Sequence, residues 1–132
     1  MANLETIPKL LRNPMIAIVD DDPRIRSLLE DQLEDSGYES HAYDCGEELL
    51  NNLDHHNFRL VLLDVLMPGI GGIATLEALI ATGFEGKVLM FSALNDTNLR
   101  KQALALGASD WLNKATLFEI LPTILKLHLP FK

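Results

Sequence analysis

The chain has 132 residues, 48% of them hydrophobic and 23% charged, with 11 Lys+Arg against 19 Asp+Glu and a formal net charge of −8. That length is one domain with enough core to fold without staples, and that acidic balance repels a phosphate backbone or an anionic bilayer, so neither nucleic acid nor membrane is an expected direct partner. The single cysteine, Cys45, closes no internal disulfide, no apolar run approaches the roughly 18 residues of a membrane span, and Glu5, Pro8 and Lys9 interrupt any secretory signal, so a cytoplasmic protein is expected.

Residues 1–13 form an N-terminal extension, in which Leu4, Ile7 and Leu11 have the spacing of a short amphipathic turn. The first strand follows at Met15–Val19. Asp22 and Pro23 then read as an N-cap and a first helical residue, and Ile25, Leu28, Leu29 and Leu33 keep helical spacing up to Ser36-Gly37. A weaker strand is read at Tyr38–Tyr43. Asp44 with Glu47 reads as a capping box opening the second helix. Leu60–Leu63 is the third strand, and a helix runs from about Gly72 to Thr82-Gly83. Val88–Phe91 is the fourth strand, and the helix after Asn95-Asp96-Thr97 ends at Leu106-Gly107. Ser109–Leu112 is the fifth strand. Thr116 and Glu119 form a second capping box, followed by Ile120, Leu121, Ile124 and Leu125. Pro122 conflicts with that last helix, because it removes an interior N–H; the helix either starts later or bends there.

The three strongest strands are apolar without alternation, as strands covered on both faces are. Five βα units with right-handed crossovers give an α/β fold, a doubly wound (βα)5 sandwich with a five-stranded parallel sheet. Ligands of such sheets bind at the carboxyl ends of the strands. Asp20, Asp21 and Asp22 follow the first strand there, Asp64 follows the third, Ser92 and Ala93 the fourth, and Lys114 the fifth. Acids gathered this closely repel unless a cation joins them, and hard oxygen ligands suit Mg²⁺, with Mn²⁺ able to substitute. Asp20, Asp21 and Asp64 with Lys114 and one divalent cation make a neutral site. Asp22 reads as a helix cap instead.

The segments VDDDP at 19–23, LLDVLMPGIGG at 62–72, FSAL at 91–94 and GASDWLNKA at 107–115 together resemble the receiver domain of two-component response regulators, in order and correctly spaced over residues 14–128. Residues 129–132 would be a tail or the start of a linker. The resemblance implies a flavodoxin-like sheet of order 2-1-3-4-5. It implies that Asp64 is the phospho-acceptor, a carboxylate nucleophile taking a phosphoryl group from a histidine kinase or histidine phosphotransfer protein in a Mg²⁺-dependent reaction. Metal ligands would be Asp20, Asp21, Asp64 and the backbone carbonyl of Leu66. Lys114, Ser92 and Ala93 would bind the phosphoryl group, and Ser92 and Trp111 would be the switch pair. Arg24, Ile25 and Leu28 would be the kinase-docking side. The implied protein is a phosphorelay switch rather than an enzyme, with at most self-phosphorylation from small donors and autodephosphorylation. Its face of helix four, strand five and helix five would signal to an output domain or partner, or form a phosphorylation-dependent homodimer.

Two positions depart from the family pattern. Ala115 follows Lys114 where proline, often cis, is common; a non-proline cis bond costs about 3 kcal/mol, so a trans bond is expected. Receivers with Lys-Ala are joined to helix-turn-helix output domains, which points to a transcription regulator as the parent. Gly71 stands where an acid is common. Leu66 and Leu94 border the path of a hydrolytic water, and two apolar residues there should prolong the phosphoprotein.

Other readings fare worse. An aspartyl-phosphate phosphatase needs an acid two residues after its nucleophile, and here that residue is Leu66. A flavodoxin-like electron carrier needs a Ser/Thr-rich phosphate loop where Asp20-Asp21-Asp22 stands. Gly69, Gly71 and Ala74 fit G-x-G-x-x-A, but Asp64–Pro68 separate them from the strand. Asp54-His55-His56 reads as a solvated loop, Cys45 as a turn residue, and His41 and His128 as incidental.

Overall fold

The apolar runs become five parallel strands in the order β2-β1-β3-β4-β5. The structure, a computed structural model, describes residues 14–129. The strands are β1 (Pro14–Val19), β2 (Glu39–Tyr43), β3 (Asn57–Asp64), β4 (Lys87–Ser92) and β5 (Asp110–Asn113). Between and after them lie α1 (Pro23–Asp35), α2 (Gly46–Asn51), α3 (Gly71–Ala81), α4 (Thr97–Leu106) and α5 (Leu117–His128), with one 3-10 turn at Leu53–His55.

Strand alternation divides the core in two. Ala17 and Val19, Val61 and Leu63, and Val88 and Met90 face one cluster that includes Leu49 of α2, Leu76 and Leu79 of α3, and Ala103 of α4. Ile16 and Ile18, Leu60 and Leu62, and Leu89 and Phe91 face the other, with Leu29 and Leu33 of α1 and Leu117, Leu121 and Leu125 of α5. Both faces of the three central strands are therefore dry, and each fully buried Leu or Ile contributes about 2 kcal/mol.

Two helix starts follow the sequence. Asp22 has φ −87° and ψ 113°, and its carboxylate accepts from Arg24 N at 2.9 Å. Asp96 caps α4 in the same way, accepting from Leu99 N at 3.0 Å. Neither expected capping box forms. Helix α2 starts one residue after Cys45, with no side-chain cap. Thr116 has φ −111° and ψ 0°, which turns its hydroxyl away from the helix amides; it donates instead to Asn113 O at 3.3 Å.

Helix α5 continues through Pro122, rather than starting after it. The carbonyl that residue 122 would normally serve is Phe118 O. It accepts a hydrogen bond from the Gln32 side-chain amide of α1 at 2.8 Å. Asn113 Oδ1 accepts from Ala115 N at 2.8 Å and holds the β5–α5 turn. No peptide bond among the described residues is cis, so Lys114–Ala115 is trans as expected.

Candidate functional site

Three parallel strands deliver their acids to one edge. Val19 of β1 lies beside Leu63 of β3, so the next residues, Asp20 and Asp64, emerge side by side. Asp64 is in turn level with Phe91 of β4, which sets Ser92 one residue further out on the neighbouring strand. Lys114 follows β5, and its main-chain N–H donates to Ser92 O at 2.8 Å, closing the edge.

The result is a buried acid cluster. Asp20 is 0% exposed and Asp64 3%, whereas Asp21 stands open to solvent. One carboxylate oxygen from each of Asp20, Asp21 and Asp64 lies within 4.8 Å of the others. Lys114 Nζ is 2.9 Å from Asp20 Oδ2 and 3.4 Å from Asp64 Oδ2, so its nearer partner is Asp20 rather than Asp64. Among the described residues, the buried Asp20 Oδ2 has this ion pair with Lys114 as its one cationic contact, and no main-chain N–H reaches it. The other Asp20 oxygen accepts from Asp22 N at 2.9 Å. Lys114 also lies over the Phe91 ring, 5.4 Å from its centroid.

Electrostatics follow from this crowding. Burial and the neighbouring Asp20 charge push the Asp64 carboxyl up to about 6, against the opposing pull of Lys114. Burial alone would lower the Lys114 ammonium, but Asp20 and Asp64 outweigh it and raise its pKa. One ammonium thus faces three carboxylates, two of them buried. Three carboxylates that share a single ammonium are a hard, oxygen-rich set with negative charge left over, and they fit a divalent cation such as Mg²⁺.

Comparison with known proteins agrees over the same span. Residues 16–126 match the family model of the response regulator receiver domain. The chain belongs to that family. It is 41% identical over 99 residues to the transcriptional regulatory protein CpxR of Escherichia coli K12, covering 75% of this chain and 42% of that protein. It is 33% identical over 102 residues to the alkaline phosphatase synthesis transcriptional regulatory protein PhoP of Bacillus subtilis, covering 77% of this chain and 42% of that protein. This receiver therefore spans about two-fifths of the length of the curated relatives it matches. Among solved structures, the Vibrio cholerae chemotaxis protein CheY4 superposes with a TM-score of 0.82 at 27% identity, over 89% of this chain and 99% of that one. The Thermotoga maritima response regulator TrrA, in complex with Mg(2+)-BeF, superposes with a TM-score of 0.78 at 31% identity, over 89% of this chain and 99% of that one. The flavodoxin-like sheet order expected from the sequence is the one observed.

The receiver places the remaining expected residues in distinct settings. Ser92 is buried, and its hydroxyl oxygen accepts from Leu94 N at 2.9 Å; Ala93 is exposed beside it. Leu66 donates its N–H toward Asp64 Oδ1 at 3.4 Å, and its side chain is 52% exposed. Trp111 is partly buried against the α2–α3–α4 side of the core. On α1, Leu28 is 53% exposed. Ile25 packs against the α5 side of the core, and Arg24 is taken up by Asp22 at 3.0 Å. The site does not gather Asp54, His55 or His56, for among the described residues only Asp20, Asp21 and Asp64 form an acid or metal-ligand group of three. The Cys45 thiol is raised: a Glu48 main-chain N–H favours the thiolate, but burial with the charges of Asp44 and Glu47 outweighs it. That is the setting of an inert turn residue.

Sequence reasoning missed several supports. Arg26 donates to the Asp20 main-chain carbonyl at 2.8 Å and fixes the turn leaving β1. A Cβ at Gly72 would collide with the backbone of Asp64 and Val65, so α3 starts directly on the end of β3. Gly71 takes φ +75°, a left-handed conformation that disfavours the acid common there. His128, read as incidental, is buried, and its Nε2 lies 3.2 Å from Asp110 Oδ2. His41 and His56 bring their ring centroids within 5.3 Å. The GIGG spacing hints at Gly72; nothing local could have paired residues so distant in sequence as Asp110 and His128.

Proposed function

We propose that this chain accepts a phosphoryl group on Asp64 from the phosphohistidine of a histidine kinase or histidine phosphotransfer protein, and that the modification switches its α4–β5–α5 face. The observation that carries this is the convergence of Asp20, Asp21 and Asp64 within 4.8 Å around a single Lys114 at the carboxyl edge of the sheet. Asp20, Asp21, Asp64 and the Leu66 main-chain carbonyl would hold Mg²⁺. When bound, the cation supplies the positive charge that lets an anionic donor approach three carboxylates.

In the transfer, an Asp64 carboxylate oxygen forms a bond to phosphorus as the phosphorus–nitrogen bond to the donor imidazole breaks. The leaving imidazole keeps that electron pair and takes a proton from solvent. Lys114 and the main-chain N–H of Ala93 bind phosphoryl oxygens. Ser92 leaves its bond with Leu94 N to donate its hydroxyl to the same group, which draws the β4–α4 loop inward. Little covalent work remains for the protein, so positioning and charge neutralisation carry the reaction. Trp111 follows the Ser92 movement, and the two together shift the population of the output face.

The chain acts as a switch, with self-phosphorylation from small donors and autodephosphorylation as its only chemistry. Leu66 and Leu94, both exposed at the mouth of the site, obstruct the hydrolytic water and lengthen the phosphoprotein's life. Arg24 and Leu28 on α1 form the kinase-docking side, with Ile25 contributing its edge. We place the receiver at residues 14–128, with an extension before it and a tail or the start of a linker after it. Its relatives carry the printed description of transcriptional regulatory proteins, so the parent protein is read as a cytoplasmic regulator that binds DNA through a separate output domain and pairs through the α4–β5–α5 face.

The test is incubation of the full chain with Mg²⁺ and a small phosphodonor, followed by intact mass and Trp111 fluorescence. One added phosphoryl group, lost in Asp64→Asn, with a fluorescence change that requires Mg²⁺, is the expected result. An unmodified chain with unchanged fluorescence in Mg²⁺ and beryllofluoride refutes the reading.

A further inference from the structure

Helix α5 contains a defect in its own hydrogen-bond ladder. A helical residue normally donates its N–H to the carbonyl four residues earlier. Pro122 sits at the sixth position of α5 and has no N–H to give. The carbonyl left over is that of Phe118. It is not left to solvent, because Gln32 Nε2 of α1 donates to it at 2.8 Å. The partners lie 86 residues apart in sequence, so no local turn produces this bond.

The surroundings make the bond a hinge point rather than a surface ornament. Leu29 and Leu33 of α1 and Leu117, Leu121 and Leu125 of α5 share one core cluster. Gln32 sits among these anchors, partly buried, and Phe118 packs against the same cluster. Pro122 itself is exposed, so core packing does not demand a proline there. Its effect on the molecule is to free one carbonyl and hand it to another helix.

We propose that Gln32 is a latch: it replaces the N–H that Pro122 lacks and couples helix α5 to helix α1. The second turn of α5 is completed by α1, and a displacement of either helix breaks the bond that holds the other. The latch stands on geometry alone. Its use in signalling rests on the receiver reading, in which α1 meets the phosphodonor and α5 forms part of the output face. Urea unfolding needs no phosphoryl group, so failure of the latch and failure of that reading are separable.

A double-mutant cycle in the full chain tests it. Gln32→Met keeps the side-chain volume and removes the donor. With Pro122 present, it leaves the Phe118 carbonyl unpaired and should lower the folded-to-unfolded ratio about five- to ten-fold. In a Pro122→Ala background, the restored residue-122 N–H serves the same carbonyl, and Gln32→Met should cost less than about two-fold. Equal costs in the two backgrounds, or no cost in either, would overturn the proposal. Amide hydrogen exchange of Gln32→Met alone gives a second reading. Faster exchange across 117–128 with 71–81 unchanged is expected, and unchanged exchange in α5 refutes the latch.

Discussion

Val19 and Asp20 are adjacent and both buried, as are Leu63 and Asp64, yet they belong to opposite kinds of environment. Up to Val19 and Leu63 the strands are dry on both faces and close-packed. One residue later the same strands place carboxylates side by side with one ammonium between them. The first region is stable with nothing added. The second carries a like-charge cost that a cation would relieve. The strands work as a rigid rack: the apolar part fixes where the acids stand, so that they cannot relax apart.

That contrast can be broken from either side. Leu62→Ala opens a cavity in the dry part and should cost about 3 kcal/mol, seen as a lower urea midpoint. Lys114→Met, at the charged edge, strands Asp20 and Asp64 without their cation and should cost about 2 kcal/mol in the absence of Mg²⁺. Asp64→Asn has the opposite sign. It removes a crowded charge and should stabilise the cation-free protein at pH 8 by about 1 kcal/mol, after allowance for solvent screening, while abolishing phosphorylation.

The pH dependence sharpens the same point. The Asp64 carboxyl is pushed up to about 6 in the folded chain, against 3.8 for a free aspartate side chain. The folded state therefore binds this proton more tightly than the unfolded state does. The contribution is fully present below 3.8 and is lost as pH rises through about 6. A divalent cation needs the ionised form, so the Mg²⁺-induced rise in Tm should be larger at pH 7.5 than at pH 5, read by differential scanning fluorimetry. Equal shifts at both pH values would separate Asp64 from the cation. The smallest expected effect is kinetic: Leu66→Asn should shorten the phosphoprotein half-life severalfold, followed by intact mass, with the melting temperature unchanged.

Much of this was legible in the sequence, for definite reasons. Apolar runs without alternation announce parallel strands, and acids directly after such runs have few structural uses, so Asp20, Asp21 and Asp64 stand out in the sequence itself. Strand ends were less legible. Asn57, Phe58 and Arg59 extend β3 below Leu60, although an exposed Arg59 hides the continuity. Each capping box failed for its own reason: α2 starts after Cys45 rather than after Asp44, and Thr116 is not extended as a box requires. Pro122 looked like a conflict because the sequence shows only the donor it lacks, whereas the substitute donor comes from another helix. Lys114 contacts both buried acids, and Asp20 at 2.9 Å is nearer than Asp64 at 3.4 Å, a preference that no local pattern shows. The expected amphipathic turn at Leu4, Ile7 and Leu11 lies outside the described residues.

The Asp110–His128 contact bears on reach. It pins the last residue of α5 to the first residue of β5, at the edge of the sheet opposite Asp64. The 12 residues of α5 rise about 18 Å. His128 therefore sits at the end of the fold away from the acid cluster. A rod pinned at its far end moves at its near end by pivoting about that pin.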